Sequence, residues 1–329
     1  MAAISVIIPA HNAERTILET VQSVQNQTFS DFELIVINDG STDQTLEVLN
    51  SIQDPRLKVF SYENGGVSIA RNRGIKHATA QFISFLDADD LWTHDKLELQ
   101  MKALDRCPEA GVAYSWTSFI SETGEFLFAK DRMFYEGNVY PELLVSCFIA
   151  SGSNVLIRKA AIESAGYFAP SLSSAADWEY WLRLAARWSF ACVPKYQILY
   201  RLSHGSMSSK VEAIEDDLLK VIEQAFEEAP TELKHLKERS LATNYQYIAY
   251  LYLTYVHGAD GVKSAGRRLR MAIRLYPKIL LASKTQRFIL WLLLMKLLPT
   301  GLAKSVVPLY GRLQKMLGLA RGSAISGNG

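Results

Sequence analysis

Cysteine is scarce in this sequence. Cys107, Cys147 and Cys192 are the only three in 329 residues, and no two of them stand at metal-ligand spacing. An odd, scattered set excludes a disulfide framework and a cysteine-held metal site, and it points to a reducing compartment. A targeting segment is also missing. Met1-Ala2-Ala3 runs straight into Ile4-Ser5-Val6-Ile7-Ile8, with no basic n-region and no apolar stretch of signal-peptide length. A membrane-spanning run is absent too: the apolar segment Phe288 to Leu298 is about 11 residues long and contains Lys296, whereas a span needs roughly 20. The expected location is therefore the cytoplasm. Charge of either sign is not in excess, since the formal net charge is +1, so nucleic acid is not expected as a partner.

What is present fits an ordinary globular chain. The apolar fraction is 49% and the charged fraction 21%, enough to build a substantial core. The length suits one large domain with a smaller appendage. In the first half, short β-branched runs alternate with helical patterns. Ile4 to Ile8 reads as a buried strand ending at Pro9, and Ile17, Val21 and Val24 then recur at helical spacing. Leu34 to Ile37 is a second strand, closed by the turn residues Asn38-Asp39-Gly40-Ser41. Thr45 to Ile52 is helical, Leu57 to Ser61 is a third strand, and Phe82 to Leu86 is a fourth running into Asp87. Such alternation predicts βαβ units, an α/β fold with a mostly parallel sheet and a ligand crevice at the carboxyl ends of the strands. Beyond about Lys210 the pattern turns helical. The expected division is a domain over residues 1–210, a helical region over 211–320 and a Gly/Ser-rich tail over 321–329.

The residues that carry chemistry fall at those strand ends. Asp87-Ala88-Asp89-Asp90 leaves the fourth strand, and carboxylates at i and i+2 can both reach the crevice once the pleat ends. They suit a hard cation with oxygen ligands, Mn2+ or Mg2+, bridging them to a diphosphate. Alone, the same residues also make a solvated acidic turn. They stand instead in an ordered series: Val6-Ile7-Ile8-Pro9-Ala10-His11-Asn12, Asn38-Asp39-Gly40-Ser41-Thr42-Asp43, Gly65-Gly66-Val67-Ser68-Ile69-Ala70-Arg71-Asn72-Arg73-Gly74, and Phe85-Leu86-Asp87-Ala88-Asp89-Asp90.

This series closely resembles the family-2 glycosyltransferases, over roughly residues 3 to 205, and so implies the GT-A nucleotide-sugar-binding fold with a helical C-terminal region added. The resemblance implies an inverting, non-processive enzyme and gives each position a role. Pro9, Ala10, His11 and Asn12 line the nucleotide site, His11 standing where the family most often has tyrosine. Asp39 accepts from the nucleobase; a carboxylate can take the ring N–H of uracil or thymine, which points to UDP- or dTDP-sugars. Asn38 replaces the usual first aspartate of that turn. Arg71 meets the nucleotide. Asp87 lies on the ribose side, either behind the metal's ligands or as one of them, Ala88 lies between, and Asp89 is the direct metal ligand. Asp90 is read as capping the turn Leu91-Trp92-Thr93.

Two later segments extend the likeness. Ser174-Ala175-Ala176-Asp177-Trp178-Glu179-Tyr180-Trp181-Leu182-Arg183 resembles the segment that supplies the family's catalytic base, which makes Asp177 the base and Glu179 the fallback. Ser174-x-x-Asp177 is equally a capping-box pattern. Tyr200-Arg201-Leu202-Ser203-His204 resembles the segment that closes over the donor, with Arg201 neutralising phosphates and His204 completing the metal shell.

The partners so implied are a nucleotide-sugar donor and a glycan or lipid-linked acceptor of cell-surface polysaccharide synthesis. No acidic residue follows Pro277, while Lys278, Lys284, Arg287, Lys296, Lys304, Arg312, Lys315 and Arg321 surround the apolar segment. That segment either packs in a helical core or lies on the inner face of the cell membrane as a peripheral contact. Competing functions are a catalytically silent nucleotide-sugar-binding protein, a processive polysaccharide synthase and a nucleotidyltransferase. The synthase lacks support without spanning helices or a Gln-x-x-Arg-Trp motif. The nucleotidyltransferase lacks a Gly-rich basic loop at His11-Asn12-Ala13-Glu14.

Overall fold

The computed structural model of the chain describes residues 2–203, 210–256 and 258–297. Two compact units divide it, residues 1–240 and residues 241–329.

The first unit begins with the strand β1 (Ile4–Ala10), all of whose residues are buried. A strand covered on both faces has no need of polar alternation, which is why ISVIIPA is apolar but for Ser5. β2 (Phe32–Asp39) is likewise buried throughout, with Leu34 to Ile37 as its apolar run. Helices α1 (Ile17–Gln25), α2 (Thr45–Ser51) and α3 (Val67–His77) link β1, β2, β3 (Leu57–Tyr62) and β4 (Phe82–Phe85). These four strands pair in parallel in the order β3-β2-β1-β4, with Val6 opposite both Leu34 and Ser84. The expected strands are thus present, and α3 lies across β1 and β2 with its first turn at their carboxyl ends.

Beyond β4 the sheet changes character. It continues through β8 (Leu156–Arg158), β6 (Ala110–Ile120), β9 (Ser189–Arg201) and β5 (Leu91–Trp92), with β7 (Phe126–Ala129) hydrogen-bonded to β6. β8 runs antiparallel to both β4 and β6, and β5 antiparallel to β9, whereas β6 and β9 are parallel. The sheet is therefore parallel in its first half and mixed as a whole. Helices α4 (Lys96–Arg106), α5 (Tyr140–Val145), α6 (Lys159–Ala165), α7 (Ala176–Ala185) and α8 (Val211–Glu228) complete this unit.

The expected domain boundary near residue 210 falls inside the first unit. α8 is amphipathic and packs on α7, and its Asp217 carboxylate accepts from the backbone N–H groups of Ser173 (3.1 Å) and Ser174 (3.0 Å). A helix bound by its apolar face and by such charge-assisted hydrogen bonds belongs to the body it covers. The second unit contains most of α9 (Lys237–Tyr255), α10 (Gly258–Leu275), a 3-10 turn over Pro277–Leu281 and α11 (Ser283–Leu297). Among the described residues no helix is long and apolar enough to cross a membrane.

Candidate functional site

The carboxyl ends of β1, β2 and β4 open on one side of the sheet, and three stretches of irregular backbone meet there. Asn12 ends β1 in the left-handed region (φ 51°), a conformation that asparagine tolerates better than most residues. Its Oδ1 accepts the Thr42 N–H (2.8 Å), and its own N–H donates to Ser41 Oγ (3.0 Å). The loop after β1 is thereby tied to the loop after β2. His11 and Asn12 are both exposed at this rim, while Pro9 and Ala10 are buried in the strand below.

Asp39 is buried at the end of β2. Its carboxylate accepts the N–H of Gly65 (3.0 and 3.1 Å), the N–H of Gly66 (2.8 Å) and Nη1 of Arg73 (2.7 Å). These contacts fill both oxygens and fix the loop that starts α3. Gly40 follows with φ 71°, and a Cβ there would stand 2.7 Å from the Asn64 backbone nitrogen, so the turn admits only glycine. In this state Asp39 shapes the rim of the site and its lone pairs are turned to the protein.

α3 connects two acidic positions. Arg71 and Arg73 are two residues apart, roughly 200° around a helix, and each finds a different carboxylate. Arg73 pairs with Asp39 at the end of β2, and Arg71 pairs with Asp87 after β4 at 2.6 Å. The Arg71 guanidinium is buried and lies 5.3 Å above the Phe168 ring. Phe168 in turn stacks on Tyr180 of α7 at 4.1 Å and meets Phe85 of β4 edge-on at 5.2 Å. Aromatic packing therefore joins β4, α3 and α7 beneath the site.

The acidic turn 87–90 is held from three directions. Thr16, just ahead of α1, and Thr20 of α1 donate to the Ala88 carbonyl (2.8 and 3.0 Å), and Thr20 also donates to the Asp90 carbonyl (3.0 Å). Ser153 accepts the Asp87 N–H (3.0 Å) and donates to Asp90 Oδ2 (2.6 Å). Arg201 donates Nε to the Asp89 carbonyl (2.8 Å), Nη1 to the Glu122 carbonyl (2.7 Å) and Nη2 to Glu19 (2.7 Å). The Arg201 N–H also reaches Asp90 Oδ1 (3.0 Å). Arg201 is thus buried as a brace under the turn, with its donors met by protein acceptors.

Asp90 does not cap Leu91-Trp92-Thr93. It is buried, and its carboxylate fastens Ser151, Ser153 and the end of β9 together. Burial and the neighbouring Asp89 and Asp87 push its carboxyl well above the ordinary range. Asp87 and Asp89 are left partly exposed toward the crevice. Burial, then the charge of Asp87, pushes Asp89 up to about 6. A pair of hard oxygen donors whose anionic forms repel is suited to a divalent cation of the Mg2+ or Mn2+ type. Among the described residues no group of three metal-ligating side chains stands close together, so remaining ligands would come from a diphosphate or from residues not described. His204, expected in the metal shell, lies outside the described residues.

Asp177 stands in the first turn of α7. The capping-box alternative fails: the helix starts at Ala176, its N-cap is Ala175 and no side chain caps it. Ser174 is drawn to Asp217 instead. The Asp177 carboxylate accepts the adjacent Trp178 N–H (2.7 Å), and the buried Trp178, Tyr180 and Trp181 anchor the helix behind it. Burial raises its carboxyl, opposed by the Arg71 charge and reinforced by Asp87. Arg71 and Asp87 thus both lie within electrostatic reach of Asp177. Glu179 faces elsewhere: it pairs with Arg183 and lines a separate small cavity with Tyr140 and Val221.

The loop Ala150-Ser151-Gly152-Ser153-Asn154 forms the floor of the site, with Ser153 bonded to Asp87 and Asp90. Asn154 is fully buried, donating to the Ser115 and Ile149 carbonyls and accepting the Ser115 N–H. Ala150 is held in the left-handed region (φ 74°), a strain that persists only where surrounding contacts overdetermine it. Arg73 was missed as the partner of Asp39. The signal available was two arginines on opposite sides of one short helix between two strand-end carboxylates.

Residues 5–251 match the family described as Glycosyltransferase like family 2. The putative teichuronic acid biosynthesis glycosyltransferase TuaG of Bacillus subtilis (strain 168) is 31% identical over 218 residues, covering 63% of this chain and 81% of TuaG. An uncharacterized glycosyltransferase of Rickettsia bellii (strain RML369-C) is 36% identical over 189 residues, 56% of this chain. The match spans only 27% of that protein's length. Among solved structures, S. aureus TarS 1–349 in complex with UDP-GlcNAc superposes with a TM-score of 0.62 at 21% identity, covering 83% of this chain and 82% of that one. Mannosyltransferase PcManGT from Pyrobaculum calidifontis, in complex with GDP-Man and Mn2+, gives 0.59 at 18% identity over 87% and 83%. These likenesses show the GT-A fold. With a match running from Ser5 to Leu251, the chain belongs to the glycosyltransferase like family 2.

Proposed function

We propose that the chain transfers a sugar from a nucleotide-diphosphate donor, UDP- or dTDP-linked, to the hydroxyl of a glycan or lipid-linked acceptor, with inversion at the anomeric carbon. The observation that carries this reading is the shared electrostatic neighbourhood of Asp177, Arg71 and Asp87. It joins a carboxylate free to take a proton to a strand-end acidic turn suited to a diphosphate. Relatives named for teichuronic acid biosynthesis and for glucosyl transfer to a diphosphoundecaprenol-linked sugar support a role in cell-surface polysaccharide synthesis.

The residues act as follows. Asp39 and Arg73 hold the Gly65-Gly66 loop so that the rim formed with His11 and Asn12 accepts the nucleotide. Arg71 aligns Asp87 and supplies positive potential near the phosphates. Asp177 takes the proton from the acceptor hydroxyl as its oxygen attacks C1 from the face opposite the diphosphate. A raised carboxyl pKa makes it a stronger base than a solvent carboxylate. Single displacement needs no covalent nucleophile. A divalent cation bound at Asp89 and Asp87 would supply charge neutralisation for the departing diphosphate.

The test is UDP release and product formation from a panel of UDP-sugars, with and without Mn2+, for the wild type and Asp177→Asn. The expected result is turnover in the wild type and a loss on the order of 1,000-fold in the variant, with donor binding retained. Wild-type turnover by Asp177→Asn removes the base assignment. Donor binding without turnover by the wild type leaves a silent binding protein instead.

A further inference from the structure

The near-neutral chain is made of two oppositely charged halves. Residues 1–240 hold 22 Lys or Arg against 33 Asp or Glu, a formal charge of −11. Residues 241–329 hold 13 Lys or Arg against Asp260 alone, a formal charge of +12. Such segregation marks a partner of opposite sign.

The arrangement of these cations is specific. On α10 the exposed residues Lys263, Arg267, Arg270 and Arg274 are spaced four, three and four apart, so they stand in one row along the helix. None of the four forms an ion pair among the described residues. Like charges at that spacing oppose helix formation, so the row gains from counter-charge beyond Asp260, the single acid of residues 241–329. At Gly266 a Cβ would lie 3.6 Å from Arg270 Nη1 and 4.0 Å from Lys296 Nζ, which brings the cations of α10 and α11 to a common edge.

α11 adds apolar surface beside that edge. Phe288, Trp291 and Leu292 are buried inward, whereas Leu290 is 60%, Leu293 50% and Leu294 42% exposed. Leu281, just ahead of the helix, is 80% exposed. α11 is too short and too basic to span a bilayer, but a cationic helix pair with an outward leucine face matches a helix lying in the interface plane. Nucleic acid would meet the charge but leave the leucines in water. A second copy of the same unit would be repelled by the same charge.

We propose that α10 and α11 form a docking face for an anionic lipid bilayer, the cations meeting headgroup phosphates and the α11 leucines entering the acyl boundary. This does not rest on the transfer reaction, only on the second unit's surface. The test is flotation of the full chain with vesicles of phosphatidylcholine, or of phosphatidylcholine with about 30% phosphatidylglycerol. The chain is expected to float with the anionic vesicles alone and to be released by high salt. Leu290→Ser/Leu293→Ser/Leu294→Ser and Arg267→Gln/Arg270→Gln/Arg274→Gln should each lower the partition on the order of tenfold or more. All six positions are exposed, and matching thermal melts check that both variants fold. Wild-type protein that stays unbound overturns the proposal, as does a leucine variant that floats like the wild type. Tighter binding to a short DNA duplex than to the anionic vesicles also overturns it, as does a salt-sensitive dimer that buries this face. UDP release measured on the same samples is independent, so flotation without turnover faults only the enzymatic reading.

Discussion

A methyl group added at Gly152 would collide with the Arg71 guanidinium and come within 3.4 Å of Asp87 Oδ2. The Arg71–Asp87 pair is 2.6 Å long and half of it is buried, so neither partner can retreat without losing the other. Gly152→Ala is therefore expected to cut kcat/KM on the order of 100-fold, because displacements near 1 Å at a reacting site cost about that much. Its thermal melt should fall by only a few degrees, roughly the effect of a 1 kcal/mol loss. Steady-state kinetics alongside a melt checks this, and equal losses in both would mean a folding defect alone.

At the scale of elements, Glu33 shows how the parallel half of the sheet is pinned. Its carboxylate accepts from Ser5 on β1 (2.7 Å), Lys58 on β3 (2.8 Å) and both the N–H and Oγ of Thr79 (2.8 Å each). Burial pushes the Glu33 carboxyl up, but these donors outweigh it and hold it at about 2, below the ordinary 4.5. Because the folded value is depressed, the stabilisation is present above pH 4.5 and is lost as pH falls toward 2. Glu33→Gln should be less stable by about 2 kcal/mol at neutral pH. Urea denaturation across pH should show the gap closing as the wild type approaches pH 2. A constant gap would assign the loss to packing rather than charge. Arg201, at the end of β9, is the corresponding brace for the acidic turn. Lysine cannot reproduce its fork, so Arg201→Lys should raise the Mn2+ concentration for half-maximal UDP release by about tenfold. An unchanged titration would mean that the turn holds its shape without the brace.

These elements also show what the sequence made legible. β1, β2 and β4 were readable because strands buried on both faces leave largely apolar runs, while the half-exposed β3 showed through Leu57, Val59 and Phe60. Asp87, Asp89, Arg71 and Asp177 were singled out by resemblance to an ordered series of motifs, and the structure pairs Arg71 with Asp87. β5 and β8 span only two and three residues, too short for any periodicity to register. The pairing of β6 with β9, like the reach of Asn154 to Ser115 and of Arg201 to Glu19, joins residues far apart in the chain. Contacts of that kind leave no local pattern. Asp39 was read as a chemical group and Asp90 as a local cap, since what each holds becomes visible only when the loops are closed.

At the scale of the whole molecule, the segregation of +12 and −11 into separate units has a consequence for handling as well as for docking. A protein whose charge is evenly spread passes through an ion-exchange column near its isoelectric point, here about 7.7. This chain should be retained at that pH and low salt by both a cation exchanger and an anion exchanger, each resin gripping a different half.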